Sequence, residues 1–117
     1  MSEPLGDVAT RVLFENAWVK VWEMTLAPGE SSALHRHERP YLICVLEGTR
    51  IDATLVDKGD LQIPVQPGSV LFVPPGDTER AINRTDAPFR EILVEFKTTP
   101  PGATPEVAVA NLPGSPA

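Results

Sequence analysis

A chain of 117 residues with a formal charge of −6 is one domain long, and folding buries roughly two-thirds of the surface its unfolded form exposes. The acidic balance argues against nucleic acid as a partner, because phosphate binding wants a basic face. A single cysteine, Cys44, allows no internal disulfide and suits a reducing compartment.

Residues 1–20 carry Glu3, Asp7, Arg11 and Glu15 and lack the apolar run of a signal peptide. No segment approaches the roughly 20 apolar residues of a membrane span. The expectation is a soluble cytoplasmic protein without a membrane partner. Proline is abundant, 13 of 117 residues, about twice the average usage. These prolines punctuate short apolar runs, a pattern of many short strands and no long helices.

The first strand-like runs are Arg11 to Phe14 and Trp18 to Leu26, with Glu15-Asn16-Ala17 as a turn between them. In the second run Lys20, Trp22, Met24 and Leu26 share one face, and Val19, Val21, Glu23 and Thr25 the other. Ala27-Pro28-Gly29-Glu30 closes it with Pro at i+1 and Gly at i+2, as a type II turn prefers. A strand carrying His35 and His37 follows, bent or unpaired at Pro40. Glu47-Gly48-Thr49 turns into a strand from Arg50 to Val56, and Asp57-Lys58-Gly59-Asp60 reads as a hairpin turn. Leu61 to Val65 contains Pro64 and belongs near an edge. Val70 to Val73, after the turn at Gln66-Pro67-Gly68-Ser69, is short and apolar enough for a buried strand. After Pro74-Pro75-Gly76-Asp77 come Glu79 to Asn83 and, beyond a turn at 84–88, Phe89 to Lys97 with Ile92, Val94 and Phe96 on one face. About eight or more strands at this spacing favour an antiparallel sandwich or barrel. The division is a barrel over residues 1–97 and a Pro-rich tail over 98–117. Composition alone reads the tail as disordered; we expect it to pack on its own barrel or a neighbour's.

His35 and His37 are the only histidines. Two residues apart on a strand, their rings point to one face and can converge on one point, as two metal-ligating imidazoles must. By parity Arg39, Tyr41, Ile43 and Val45 share that face. The bland alternative is a pair of half-buried histidines with ordinary hydrogen-bond partners.

Gly29-x5-His35-x-His37, followed by Gly48, resembles the first motif of the cupins, and Gly68-x5-Pro74-x-Gly76-x2-Glu79-x3-Asn83 resembles the second. The resemblance implies an all-β fold, the cupin double-stranded β-helix, an antiparallel jelly-roll barrel. It also implies a homodimer, since many small cupins pair through N-terminal strands. More locally, Trp22-Glu23-Met24, Ala27-Pro28-Gly29, His35-Arg36-His37 and Glu91 to Lys97 are similar to a group of small single-domain cupins, some linked to β-alanine degradation. No substrate is carried over from that group.

Cupins usually bind one metal through three histidines and a glutamate. Here Tyr41 stands where the first motif expects glutamate, and Glu79 where the second expects histidine. With the carboxylate moved between motifs, the implied ligand set is His35, His37 and Glu79. Two histidines and one carboxylate with open positions suit a divalent transition metal, Fe, Zn, Mn or Ni, one per chain. Glu79 has a second reading, a carboxylate held by Arg39 or by the Tyr41 hydroxyl. Tyr41 is open to three: a phenolate ligand, a catalytic proton donor, or a stacking wall with its hydroxyl tied to a neighbour. Trp18, Trp22, Met24 and Phe72 can line a pocket or simply fill the core. Arg36, Arg80 and Arg84 can grip a carboxylate or lie solvated on the surface. Cys44, of opposite parity to the histidines, reads as packing. The sequence thus supports a metal-dependent enzyme acting on a small polar carboxylic acid. Its rival is a metal-free cupin that binds or senses a small-molecule ligand without chemistry, and a third reading is a barrel whose role is mainly subunit contact.

Overall fold

A computed structural model of the chain describes residues 4–97. The tail at 98–117 and its expected packing lie outside the described residues. Nine antiparallel strands form among the described residues: β1 (Arg11–Glu15), β2 (Val19–Leu26), β3 (His35–Arg36), β4 (Tyr41–Glu47), β5 (Arg50–Leu55), β6 (Gly59–Pro64), β7 (Val70–Val73), β8 (Thr78–Ile82) and β9 (Phe89–Phe96). A five-stranded sheet in the order β1-β2-β9-β4-β7 faces a four-stranded sheet in the order β3-β8-β5-β6. Among the described residues no helix is long and apolar enough to cross a membrane.

The expected turns form as their chemistry dictates. Gly29 and Gly68 take positive φ angles of 83° and 91°, and Glu30 N donates to Ala27 O and Ser69 N to Gln66 O, both at 2.9 Å. At the β4–β5 turn, Gly48 has a φ of 120°. A Cβ there would stand 2.6 Å from Cδ2 of the fully buried Phe89, so no larger residue fits without displacing the core.

β9 is the spine of the larger sheet. It runs in register with β2 from Val19↔Phe96 to Leu26↔Phe89, and pairs on its other side with β4. Side chains of alternate residues from these strands meet those of the smaller sheet in one core that includes Trp22, Met24, Leu26, Val45, Ile51 and Phe89. Asn83, wholly buried, ties the β8–β9 connection to this core. Its amide donates to Leu26 O at 3.0 Å and Ala87 O at 2.8 Å, and its Oδ1 accepts from Thr85 N at 3.0 Å.

Several expectations need correction. The histidines do not share one strand: β3 ends at Arg36, residues 37–40 leave the ladder, and β4 begins at Tyr41 in the other sheet. Pro40 lacks the N–H that a continuous ladder needs. The run Val70 to Val73 is not buried. Among the described residues β7 is one edge of the larger sheet, with Val70 64% and Phe72 63% exposed; an apolar tetrapeptide alone cannot tell a central strand from an edge. On β2 both faces are covered, since Val21 and Glu23 are buried as well as Trp22, Met24 and Leu26. Pro64 lies, as expected, on an edge strand, β6.

Candidate metal centre

Two separate devices bring the histidines together. His35 lies in β3 directly opposite Glu79 of β8, so the first ligand pair is a cross-strand pair, whose side chains meet by register. His37 lies outside any strand, and its backbone is clamped to the turn before β8. His37 N donates to Asp77 O at 3.1 Å, and Gly76 N donates to His37 O at 2.9 Å. Gly76 can occupy this turn because its φ of 122° belongs to glycine.

The outcome is a compact cluster. His35, His37 and Glu79 each offer one ligand atom, and these atoms lie within 4.8 Å of one another. His35 Nε2 stands 3.0 Å from His37 Nε2 and 3.6 Å from Glu79 Oε1; His37 Nε2 stands 3.2 Å from the same oxygen. Both imidazoles are buried, each 1% exposed. The Nδ1 of His35 is 2.8 Å from Ala33 O. A carbonyl only accepts, so Nδ1 carries a proton there and the neutral ring's lone pair sits on Nε2, facing the cluster. No hydrogen bond among the described residues reaches His37 Nδ1; that ring is held by stacking on Tyr41, centroids 3.9 Å apart and planes 20° from parallel.

These spacings fit a bound cation. Ligand atoms about 2.1 Å from a common ion stand about 3.0 Å apart at right angles and about 3.4 Å at tetrahedral angles. Charge supports the fit. Burial pushes the Glu79 carboxyl up, but with protonated imidazoles the hydrogen bonds and charge of His35 and His37 outweigh it and bring it down to about 2; with neutral imidazoles a bound cation would take over that role. Glu79 is therefore an anion in a half-buried site.

Tyr41 donates its hydroxyl to Glu79 Oε1 at 3.2 Å. Burial first, then the negative Glu79 beside it, pushes the phenol well above its ordinary range, which disfavours phenolate. Its ring faces His37, so the stacking and hydroxyl-tied reading describes its position. Arg39 does not reach Glu79; it borders a separate groove with Lys20 and Trp22. Arg36 turns outward to Gly76 O and Glu38, and Arg84 engages Asp52 and Asp60. Met24 and Phe72 line the cavity beside the cluster, while Trp22 donates its indole N–H to Glu95. Cys44 is half-buried and borders no part of that cavity.

The cavity holds about 270 Å³, and its wall is mostly aliphatic, with Ile43, Val45, Leu55, Leu71 and Leu93 among its residues. Among the described residues no arginine or lysine lines it. Among the wall residues that the sequence does not flag is Glu91, buried on the inward parity of β9. The only signal for it is the parity it shares with Phe89, Leu93 and Glu95, and the more apolar parity of Ile92, Val94 and Phe96 masks that signal.

The cupin domain family's sequence profile matches residues 22–95. No match was found among curated proteins. Among solved structures, a cupin domain from Bordetella pertussis is 24% identical with a TM-score of 0.71, covering 84% of this chain and all of that one. A sugar phosphate isomerase of the cupin superfamily from Silicibacter pomeroyi is 30% identical with a TM-score of 0.53, covering 69% of this chain and 52% of the other. The polyketide cyclase RemF from Streptomyces resistomycificus is 28% identical with a TM-score of 0.55, covering 72% and 58%. This chain therefore spans little more than half the length of those two enzymes. With residues 22–95 matched and the two sheets closing around paired-histidine and glutamate side chains, the chain belongs to the cupin domain family.

Proposed function

We propose that the protein is a metal-dependent enzyme acting on a small carboxylic acid at a mononuclear centre held by His35, His37 and Glu79. The observation that carries this reading is the set of three donor atoms with spacings of 3.0, 3.2 and 3.6 Å. When bound, a divalent ion would supply Lewis acidity, polarising a carbonyl or carboxylate oxygen or activating water. The residues around it have defined tasks. Ala33 fixes the His35 tautomer, the Gly76–Asp77 turn fixes the His37 backbone, and the aliphatic wall excludes water. Tyr41, whose raised phenol pKa holds its proton on Oη beside Glu79, is the proposed proton donor to a strongly basic substrate oxygen such as a developing alkoxide. With no lysine or arginine in the cavity wall, a substrate carboxylate finds its compensating charge only at this centre. The same absence makes a sugar phosphate, as named for the Silicibacter relative, a poor fit.

A second reading is a metal-free binding cupin. It is favoured by the hydrogen bonds the cluster already makes internally, from Tyr41 to Glu79 and between the two imidazoles. Turnover separates the two. We expect protein loaded with Fe²⁺, Zn²⁺, Mn²⁺ or Ni²⁺ to convert at least one of a panel of small carboxylic acids, followed by NMR, and the stripped protein to convert none. Equal affinity of stripped and loaded protein for such acids, with no turnover under any of the four metals, would support the binding module instead.

A further inference from the structure

The inward face of β9 carries Phe89, Glu91, Leu93 and Glu95. Carboxyl groups on a core-facing parity are costly without partners. Glu95 has one, the Trp22 indole, whose Nε1 donates to Oε1 at 2.6 Å. Glu91 is as buried, 2% exposed, and no hydrogen bond among the described residues reaches its Oε2. Its register partners are Met24 and Val45. Val45 lies four residues along β4 from Tyr41, about 13 Å at the rise of a strand. The backbone at Glu91 is thus well removed from the Tyr41 end of the barrel, where the histidine cluster lies.

The other acidic residues of the cavity wall are spoken for. Asp52 is bound by Arg50 and Arg84, Asp77 by Lys58, and Glu79 by Tyr41 and the histidines. Glu91 alone among the wall's acidic residues brings an unused, fully buried oxygen. Burial, reinforced by the charge of Glu79, pushes its carboxyl up to about 8. At neutral pH it is mainly the uncharged acid, one O–H donor with acceptor capacity left over.

We propose that Glu91 is the polar anchor of a ligand subsite in the barrel, which takes a neutral, mainly apolar group carrying a single hydroxyl or carbonyl oxygen. The charge inventory selects this class. An anion at this end would meet carboxyl groups and no cation. A polyhydroxylated sugar would exchange many water hydrogen bonds for one partner and an aliphatic wall. A cavity of about 270 Å³ accommodates a small ring or a short chain. The inference rests on the cavity wall: burial, the larger cause, keeps the Glu91 carboxyl raised, and a metal at Glu79 would remove only the smaller one, so the two proposals are tested separately with and without chelator. If both hold, one substrate places its carboxylate at the histidine cluster and its apolar body against Glu91.

The test titrates the full chain, with and without chelator treatment, with phenol, toluene and benzylamine, which are similar in shape and differ in polar group. Binding is read from the NMR shifts of the Val45 and Leu93 methyls. The ratio of phenol to toluene affinity is expected to fall about tenfold in Glu91→Leu and to be largely retained in Glu91→Gln. A ratio unchanged within about twofold in Glu91→Leu overturns the proposal. So does tighter binding of benzylamine, a cation at neutral pH, than of phenol, and so does the absence of any methyl shift. Glu91→Leu is also expected to raise Tm, because it removes a buried acid that lacks a partner. A lower Tm for this variant would show a structural role and would overturn the assignment.

Discussion

Replacing Glu79 with alanine is expected to weaken divalent-metal binding by at least about 100-fold, since loss of groups that merely orient a ligand already costs 10–100-fold. The substitution removes the only carboxylate of the cluster and leaves two imidazole nitrogens 3.0 Å apart. Two neutral donors cannot offset the charge of a divalent ion in a site whose rings are 1% exposed. Glu79→Gln keeps an oxygen in place but loses the charge, and should fall between wild type and alanine. Tyr41→Phe keeps the ring stacked on His37 and deletes only the hydroxyl that donates to Glu79 at 3.2 Å. Its expected cost is smaller, about tenfold. Calorimetry with Zn²⁺ or Ni²⁺ ranks the three. Equal affinities for wild type and Glu79→Ala would mean that the carboxylate is held by the histidines for structural reasons alone.

The second large effect is on stability and lies away from the cavity. Glu23, 2% exposed on the outward parity of β2, receives Arg11 Nε on one carboxylate oxygen and Arg90 Nε on the other, each at 2.7 Å. Burial pushes this carboxyl up, but the hydrogen bonds from Arg90 and Arg11 win, and it lies below the ordinary carboxylate range. Glu23→Ala takes away the anion that both arginines share. Breaking a buried pair costs 3–5 kcal/mol; because Arg11 and Arg90 retain some access to water, about 2–3 kcal/mol is expected here. The pH dependence has a definite sign. A carboxyl whose folded-state pKa is depressed stabilises fully above its unfolded value, near 4.3, and loses that contribution as pH falls through the folded value. Urea unfolding of wild type and Glu23→Ala should therefore differ most at neutral pH and converge in acid below about pH 4. A gap that is constant from pH 7 to pH 3 would mean that the ionised carboxylate contributes nothing.

Much of the barrel could be read from local chemistry. Pro28-Gly29 and Pro67-Gly68 specify their turns because only glycine takes the positive φ at low cost. Parity placed Tyr41, Ile43 and Val45 on the cavity side, where they lie. What stayed hidden depends on pairing across the chain. Nothing within Val70–Val73 says that β4 is its sole neighbour among the described residues, so its exposure on the rim is not legible there. The parity rule that placed Tyr41 also put Arg39 with the histidines, and failed because the ladder breaks between His37 and Pro40. The meeting of His35 with Glu79 is a register fact between residues 44 positions apart. Only the resemblance between the two motifs and those of the cupins suggested it. Glu91 is hard to read from the sequence because a carboxyl on the core side contradicts the usual pattern, and such violations concentrate where a protein does something other than fold.

The central claim is that His35, His37 and Glu79 together hold one metal ion. It is tested most directly by elemental analysis of protein purified without an affinity tag, beside the His35→Ala/His37→Ala double variant. The account predicts close to one equivalent of a transition metal per wild-type chain, either as purified or after exposure to Fe²⁺, Mn²⁺, Ni²⁺ or Zn²⁺, and its loss in a double variant that still folds. No bound metal in wild type after exposure to all four ions would contradict it, and the barrel would then be a ligand-binding cavity without a metal centre.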